Sequence, residues 1–176
     1  MKTELVIIET GVANIASLLA ACARLGVKAN LTAKPEDVAS APFVVLPGVG
    51  AFAAGMARLR EGALVTPPRE RIEAGRPTLA VCLGLQLLCE GSEEAPGETG
   101  LGVVPAQVTR FGDAVRVPQF GWNQVQPREG AALLQPGYAY FANSFRIAEP
   151  PQGFHAAVAD HGGPFVAALE RDTLLA

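Results

Sequence analysis

The 176-residue chain is poor in several residue types, and each shortage excludes something. It has three cysteines, Cys22, Cys82 and Cys89, an odd count without a CxxC pair. That excludes a disulfide framework or a zinc ribbon and predicts a reducing, cytoplasmic setting. Aromatic residues are only 6%, while 30 residues are alanine, so a core of small groups rather than rings is expected. Histidine occurs twice, at His155 and His161. The uncharged stretches 10–23 and 77–89 are too short to span a bilayer. Met1-Lys2-Thr3-Glu4 leads straight into a strand-like segment, so no signal peptide is expected. A net charge of −3 argues against nucleic acid or an anionic membrane as the main partner. These features predict a soluble, cytoplasmic protein with one domain over residues 1–176.

What is present is an alternation of strand and helix. Leu5-Val6-Ile7-Ile8 reads as a strand buried on both faces. Asn14 can cap a following helix whose Ile15, Leu18, Leu19 and Cys22 share one face, and Gly26 stops it. Strands are expected at 27–31, 43–46 and 78–82, and helices at 51–60, 67–74 and from Leu83 through Glu90. This order predicts an α/β fold, a parallel sheet with helices on both faces. Residues 91–102 read as a polar, Gly-rich loop. Short strands follow near 103–110, 114–117, 123–126, 138–143, 155–159 and 165–169, separated by turn residues. With no helical period between them, they are expected as antiparallel additions to the same sheet.

The strongest local signal is Thr78-Leu79-Ala80-Val81-Cys82-Leu83-Gly84-Leu85-Gln86. An apolar strand runs into a sharp turn and a helix starts at once. Small residues stand two before (Ala80) and two after (Gly84) the cysteine, as a nucleophile elbow requires. Cys82 then sits at the carboxyl end of a strand, where open α/β sheets bind ligands. The helix N-terminus there favours a thiolate. A second strand end, Leu46-Pro47-Gly48-Val49-Gly50-Ala51-Phe52, opens into a helix through two glycines. A backbone N–H from this loop and that of Leu83 can together form an oxyanion hole for acyl transfer.

Cys82-Leu83-Gly84-Leu85-Gln86 resembles the nucleophile motif of class I, triad-type glutamine amidotransferases. Pro47–Phe52 and Pro118-Gln119-Phe120-Gly121-Trp122-Asn123 narrow the resemblance to the glutaminase subunits of imidazole glycerol phosphate synthases. Thr10-Gly11-Val12-Ala13-Asn14, 90–94 and Tyr140-Phe141-Ala142-Asn143-Ser144 fit the same subfamily. The resemblance implies a flavodoxin-like parallel sheet extended by antiparallel strands. It implies Cys82 as nucleophile on the glutamine side-chain amide, giving a thioester and ammonia, then glutamate. Val49 and Leu83 would supply the oxyanion-hole N–H groups. Gly50, Gln86, Glu94 and Ser144 match glutamine-binding positions. Asn14, Trp122, Asn123 and Tyr140 would lie at the face of a one-to-one (β/α)8-barrel cyclase partner, which receives the ammonia in histidine biosynthesis. No metal or other cofactor is called for.

Some positions depart from the family pattern. Ala80 stands where the elbow usually has Gly. Gln119-Phe120 replaces a His-Met-like pair, and Asn143 stands where a His is usual. The family also carries a His-Pro-Glu motif near its C-terminus, whose His is general base and whose Glu orients it. Neither His155 nor His161 is followed by Pro-Glu, and both read as loop or strand-edge residues. The expectation is an incomplete C-terminus with apolar sheet surface left exposed. Three other readings stand beside the glutaminase: a cyclase-docking module without turnover, another class I amidotransferase subunit, and a small thiol-dependent hydrolase using the same elbow. Cys22 and Cys89 are expected in the core.

Overall fold

A computed structural model describes residues 4–11 and 13–176 of the chain; Val12, part of the 10–14 motif, lies outside the described residues. The first half is β1 (Glu4–Ile8), α1 (Ile15–Arg24), β2 (Lys28–Thr32), α2 (Pro35–Ser40), β3 (Phe43–Gly48), α3 (Phe52–Glu61), α4 (Thr66–Glu73), β4 (Thr78–Cys82) and α5 (Leu83–Leu88). The second half is β5 (Cys89–Ser92), β6 (Val104–Arg110), β7 (Gln119–Pro127), β8 (Gly137–Asn143), β9 (Phe145–Ile147), β10 (His155–Asp160), β11 (Pro164–Arg171) and β12 (Leu174–Leu175). The sheet runs β2-β1-β3-β4-β12-β11-β10-β7-β8, with β5, β6 and β9 branching from β11. β1 to β4 are parallel neighbours, as the strand–helix alternation predicts. Among the described residues no helix is long and apolar enough to cross a membrane.

Local signals place α1 as expected. Asn14 Oδ1 accepts from the Ser17 N–H at 3.2 Å, and Gly26 follows the helix with φ +69°. That is an N-cap and a left-handed C′ glycine. α3 and α5 pack on the sheet face carrying Leu46 and Ala80. Phe52, Met56 and Leu59 meet Leu83, Leu87 and Leu88 there, all buried. Each such side chain contributes about 1.5–3 kcal/mol relative to exposure. α1 lies on the opposite face, where Asn14, Ser17 and Leu18 stand across a cleft from Val81. Beside α1 that face is open: Leu79 and Val81 of the central β4 are each 39% exposed, and Phe43 of β3 is 41% exposed.

Three expectations are corrected. The helix after Cys82 ends at Leu88, not Glu90, because Cys89–Ser92 leaves it as β5 and pairs with β6. That pairing is parallel, as is β12 with β4, so the later strands are not all antiparallel. Residues 114–117 form a turn instead of a strand, and Val115 and Val117 pack on the Phe111–Phe165 cluster from it. α2, β9 and β12 are elements the sequence pattern did not announce.

Two buried charges fasten distant segments. Arg71 of α4 is 2% exposed and donates to Val38 O at 2.5 Å, Pro77 O at 2.9 Å and Thr78 Oγ1 at 2.9 Å. It thereby serves the orphan carbonyl end of α2. Burial, helped by the charge of Arg76, pulls its guanidinium down to about 10. Glu170 of β11 accepts the backbone N–H groups of Ala132, Leu133 and Leu134. Burial works against its charge, but those three donors and nearby His155 outweigh it and hold the carboxyl below the usual carboxylate range.

Candidate active site

The site is built where β3 and β4 end side by side. Their register pairs Leu46 with Ala80 and Gly48 with Cys82. Cys82 holds φ 56° and ψ −114°, and α5 begins at the next residue. A non-glycine residue in that region is strained by about 1–3 kcal/mol, a conformation that clusters at active sites. The turn is tight enough to dictate its neighbours. A Cβ on Gly84 would overlap the Leu46 carbonyl oxygen and lie 3.0 Å from its carbon. A Cβ on Gly48 would come within 2.9 Å of Leu83 Cβ. Ala80 is buried and Cys82 is exposed.

Two clefts meet at Cys82. One, of about 210 Å³, has walls from Leu85 and Gln86 of α5, Tyr140–Asn143 of β8, Phe145–Ile147 and Phe165–Ala167. The other, of about 290 Å³, lies between Asn14, Ser17 and Leu18 on one side and Pro47, Gly48 and Val49 on the other. Of the residues singled out above, Gln86 and Tyr140 therefore share the first cleft with Cys82, and Asn14 and Val49 the second. Leu83 is buried at the start of α5. Gln86 Nε2 reaches Phe145 O at 3.4 Å.

Gly50, Glu94 and Ser144 stand outside the walls of both clefts. Gly50 takes φ +95° in the loop after β3, which is where a glycine is required. Glu94 holds that loop from across the chain: its Oε2 accepts the Phe52 N–H at the start of α3 at 2.7 Å, and its own N–H donates to Ser92 Oγ at 3.2 Å. A carboxylate there suits the positive end of α3. Ser144 links β8 to β9, and its carbonyl accepts from the Phe111 N–H at 3.1 Å.

Neither histidine lines a cleft of Cys82. His155 pairs with Glu170, and through β12 it is level with Leu79. It is thus three strand spacings from β4, roughly 14 Å across the sheet. His161 follows β10, hydrogen-bonds Arg116 O at 2.8 Å and meets the Phe111 ring edge-on at 5.1 Å. Cys22 and Cys89 are both buried, as expected. Burial, with the charge of Glu90, pushes the Cys89 thiol up to about 12.

β7 and β8 form a ribbon with one aromatic face. Trp122 pairs with Tyr140, their ring centroids 5.7 Å apart at 80°. Phe120 and Tyr138 extend the same face, and Trp122 is 70% exposed. Sequence reasoning named Trp122 and Tyr140 but not Phe120 and Tyr138; the signal was the period-two spacing along each strand. Asn123 points to the other face, where it accepts from Gln119 Nε2 at 2.7 Å and donates to Asp160 O.

Residues 6–174 match the model of the family described as glutamine amidotransferase class-I. A Syntrophotalea carbinolica protein named imidazole glycerol phosphate synthase subunit HisH is 38% identical, over 98% of this chain and 89% of its own length. Its namesake from Moorella thermoacetica is 40% identical, over 96% and 82%. A solved glutamine amidotransferase superposes with TM-score 0.77 at 21% identity, over 97% of this chain and 86% of that one. PurLQS from Thermotoga maritima shares the fold with TM-score 0.69 at 13% identity, over 99% and 85%. With a strained cysteine at the strand–helix turn, a matching family model and these relatives, the chain belongs to the class-I glutamine amidotransferases.

Proposed function

We propose that this chain, as one domain over residues 1–176, is the glutaminase subunit of an imidazole glycerol phosphate synthase. The Cys82 elbow, open to two clefts, carries the reading, and the names of relatives near 38% identity support it. Cys82 Sγ attacks the side-chain amide carbon of glutamine. The carbonyl π-pair moves to oxygen, where the Val49 and Leu83 N–H groups stabilise it. Its return breaks the C–N bond, the leaving amide nitrogen takes the proton given up by the Cys82 thiol, and ammonia departs with a thioester left behind. Water then adds to the thioester, and glutamate departs as Cys82 is regenerated. Gln86 suits the substrate's α-carboxylate. Gly50, Glu94 and Ser144, the other glutamine-binding positions the resemblance implies, act from outside the cleft walls: Gly50 turns the Val49 loop, Glu94 holds that loop at the Phe52 N–H, and Ser144 links β8 to β9. The aromatic face around Trp122 and Tyr140, with Asn14, docks a one-to-one cyclase partner that uses the ammonia, and Asn123 braces the ribbon from behind.

A second reading follows from the histidines. Both stand away from the clefts of Cys82, so neither is placed as its base, which favours a module that docks without turnover. One experiment separates the two. The chain is combined with a cyclase partner, and ring formation is measured with glutamine and, separately, with ammonium salts. The glutaminase reading expects both to work, and Cys82→Ala to remove only the glutamine-dependent rate. Glutamine-dependent activity retained in Cys82→Ala would remove Cys82 from the mechanism.

A further inference from the structure

The sheet face that carries Leu79 and Val81 is bare beside α1, and the strand register says which residues share it. Leu79 stands level with Val45 and Leu175, Leu175 with Glu170, and Phe43 with Leu5. Side chains level across neighbouring strands point to one face, and alternate residues along a strand do the same. Leu5, Phe43, Leu79 and Leu175 line a hollow of about 320 Å³ on this face. Its wall carries one charged residue, Asp172.

One wall of the hollow is also a projection. Glu170 turns to the same face and accepts the backbone N–H groups of Ala132, Leu133 and Leu134, which pins that segment at the rim. Leu133 lines the hollow, yet is 56% exposed. A fixed apolar side chain therefore stands next to an apolar hollow. An isologous interface needs this arrangement: a two-fold axis sets one residue against another of the second copy and repeats the contact in reverse. The exposed area fits such a contact. The chain exposes 9071 Å², whereas a folded monomer of its 18.3 kDa mass exposes about 8,150 Å². The excess of roughly 900 Å² is close to the ~800 Å² that each partner gives to a standard interface.

We propose that this face docks a second copy of the chain, each copy seating its Leu133 in the hollow of the other. The occupant is another copy because projection and hollow lie side by side on one face, so a single two-fold contact fills both hollows. Phe43, Leu79 and Leu133 then leave water on both copies at once, which is where the hydrophobic gain lies. The aromatic ribbon is a separate surface, since β7 stands three strands from β12 in the sheet order. The dimer therefore leaves the proposed cyclase face open. It depends on no step of the glutaminase reading.

The test is sedimentation velocity of the full chain over a wide concentration range. A species of twice the 18.3 kDa chain mass is expected as concentration rises. Leu133→Glu sets a carboxylate against the partner's hollow and should leave a monomer whose circular-dichroism spectrum matches the parent's; Leu133→Ser gives the same reading if that variant fails to fold. Trp122→Ala, on the ribbon, should keep the dimer. A parent that sediments as a monomer throughout, or as open-ended aggregates, would overturn the proposal. A dimer that survives both Leu133 variants would overturn it too, and one lost in Trp122→Ala would place the contact on the ribbon instead. A dimer that releases no glutamate would sink the glutaminase reading and leave this one standing.

Discussion

Replacing Gly84 by alanine tests the elbow as a physical object. Two terms oppose each other. Alanine in the first turn of α5 gains about 0.5–1 kcal/mol over glycine through the unfolded chain and helix propensity. Against this, the new methyl overlaps the Leu46 carbonyl oxygen and sits 3.0 Å from its carbon. The obstacle is backbone of the neighbouring strand, paired on both sides, so it cannot rotate away. Overpacking of this kind costs about 1–3 kcal/mol and occasionally more, and a backbone obstacle belongs at the upper end. The net expectation is a loss of about 2 kcal/mol, which for a chain of this size lowers Tm by roughly 4–8 °C. Gly112→Ala is the control: an added Cβ meets nothing within 4 Å, and its φ is not positive. That variant should stay within about 0.5 kcal/mol of the parent. Circular-dichroism melts of the three proteins decide the matter. If Gly84→Ala melts with Gly112→Ala, the elbow is not as tight as described and the argument for its small residues fails.

Other consequences are equally specific. Iodoacetamide at neutral pH should label Cys82 in the native chain and spare Cys89, whose buried thiol is pushed up to about 12; peptide mass spectrometry showing equal labelling would contradict this. Glu170 is held below its unfolded value of ~4.3, so its stabilisation is complete above that pH and is lost as pH falls through the folded value; melts across this range should be flatter for Glu170→Gln than for the parent. Arg71→Met should cost about 1–3 kcal/mol, read as a lower urea midpoint: Arg76 and the Val44 N–H still serve Ala41 O and Pro77 O, leaving Val38 O as the orphan.

The parts of the fold that follow local rules are legible in the sequence. The Cys82 turn is one: apolar strand, small flanking residues and helix lie within nine consecutive positions. α1 is another, since Asn14 and Gly26 act through bonds to residues three away. What escapes is held from a distance. α2 has six residues and no side-chain cap; its carbonyl end is served by Arg71 and Arg76 more than 30 positions later. β5 continues the chain of α5 without a turn residue, and only its pairing with β6 makes it a strand. Residues 114–117 have strand-like composition but gain their burial by packing Val115 and Val117 as a turn. In the site, the Cys82 elbow was visible, whereas the bond from Glu94 to Phe52 spans 42 positions and no local pattern signals it.

The most direct test of the account is glutamate release from glutamine by the 176-residue chain, measured with and without a cyclase partner bound to a substrate analogue. The account predicts glutamate production that rises when the partner is present and disappears in Cys82→Ala. Tight partner binding with no glutamate released would contradict it, and would leave the chain as a docking module built around an idle cysteine.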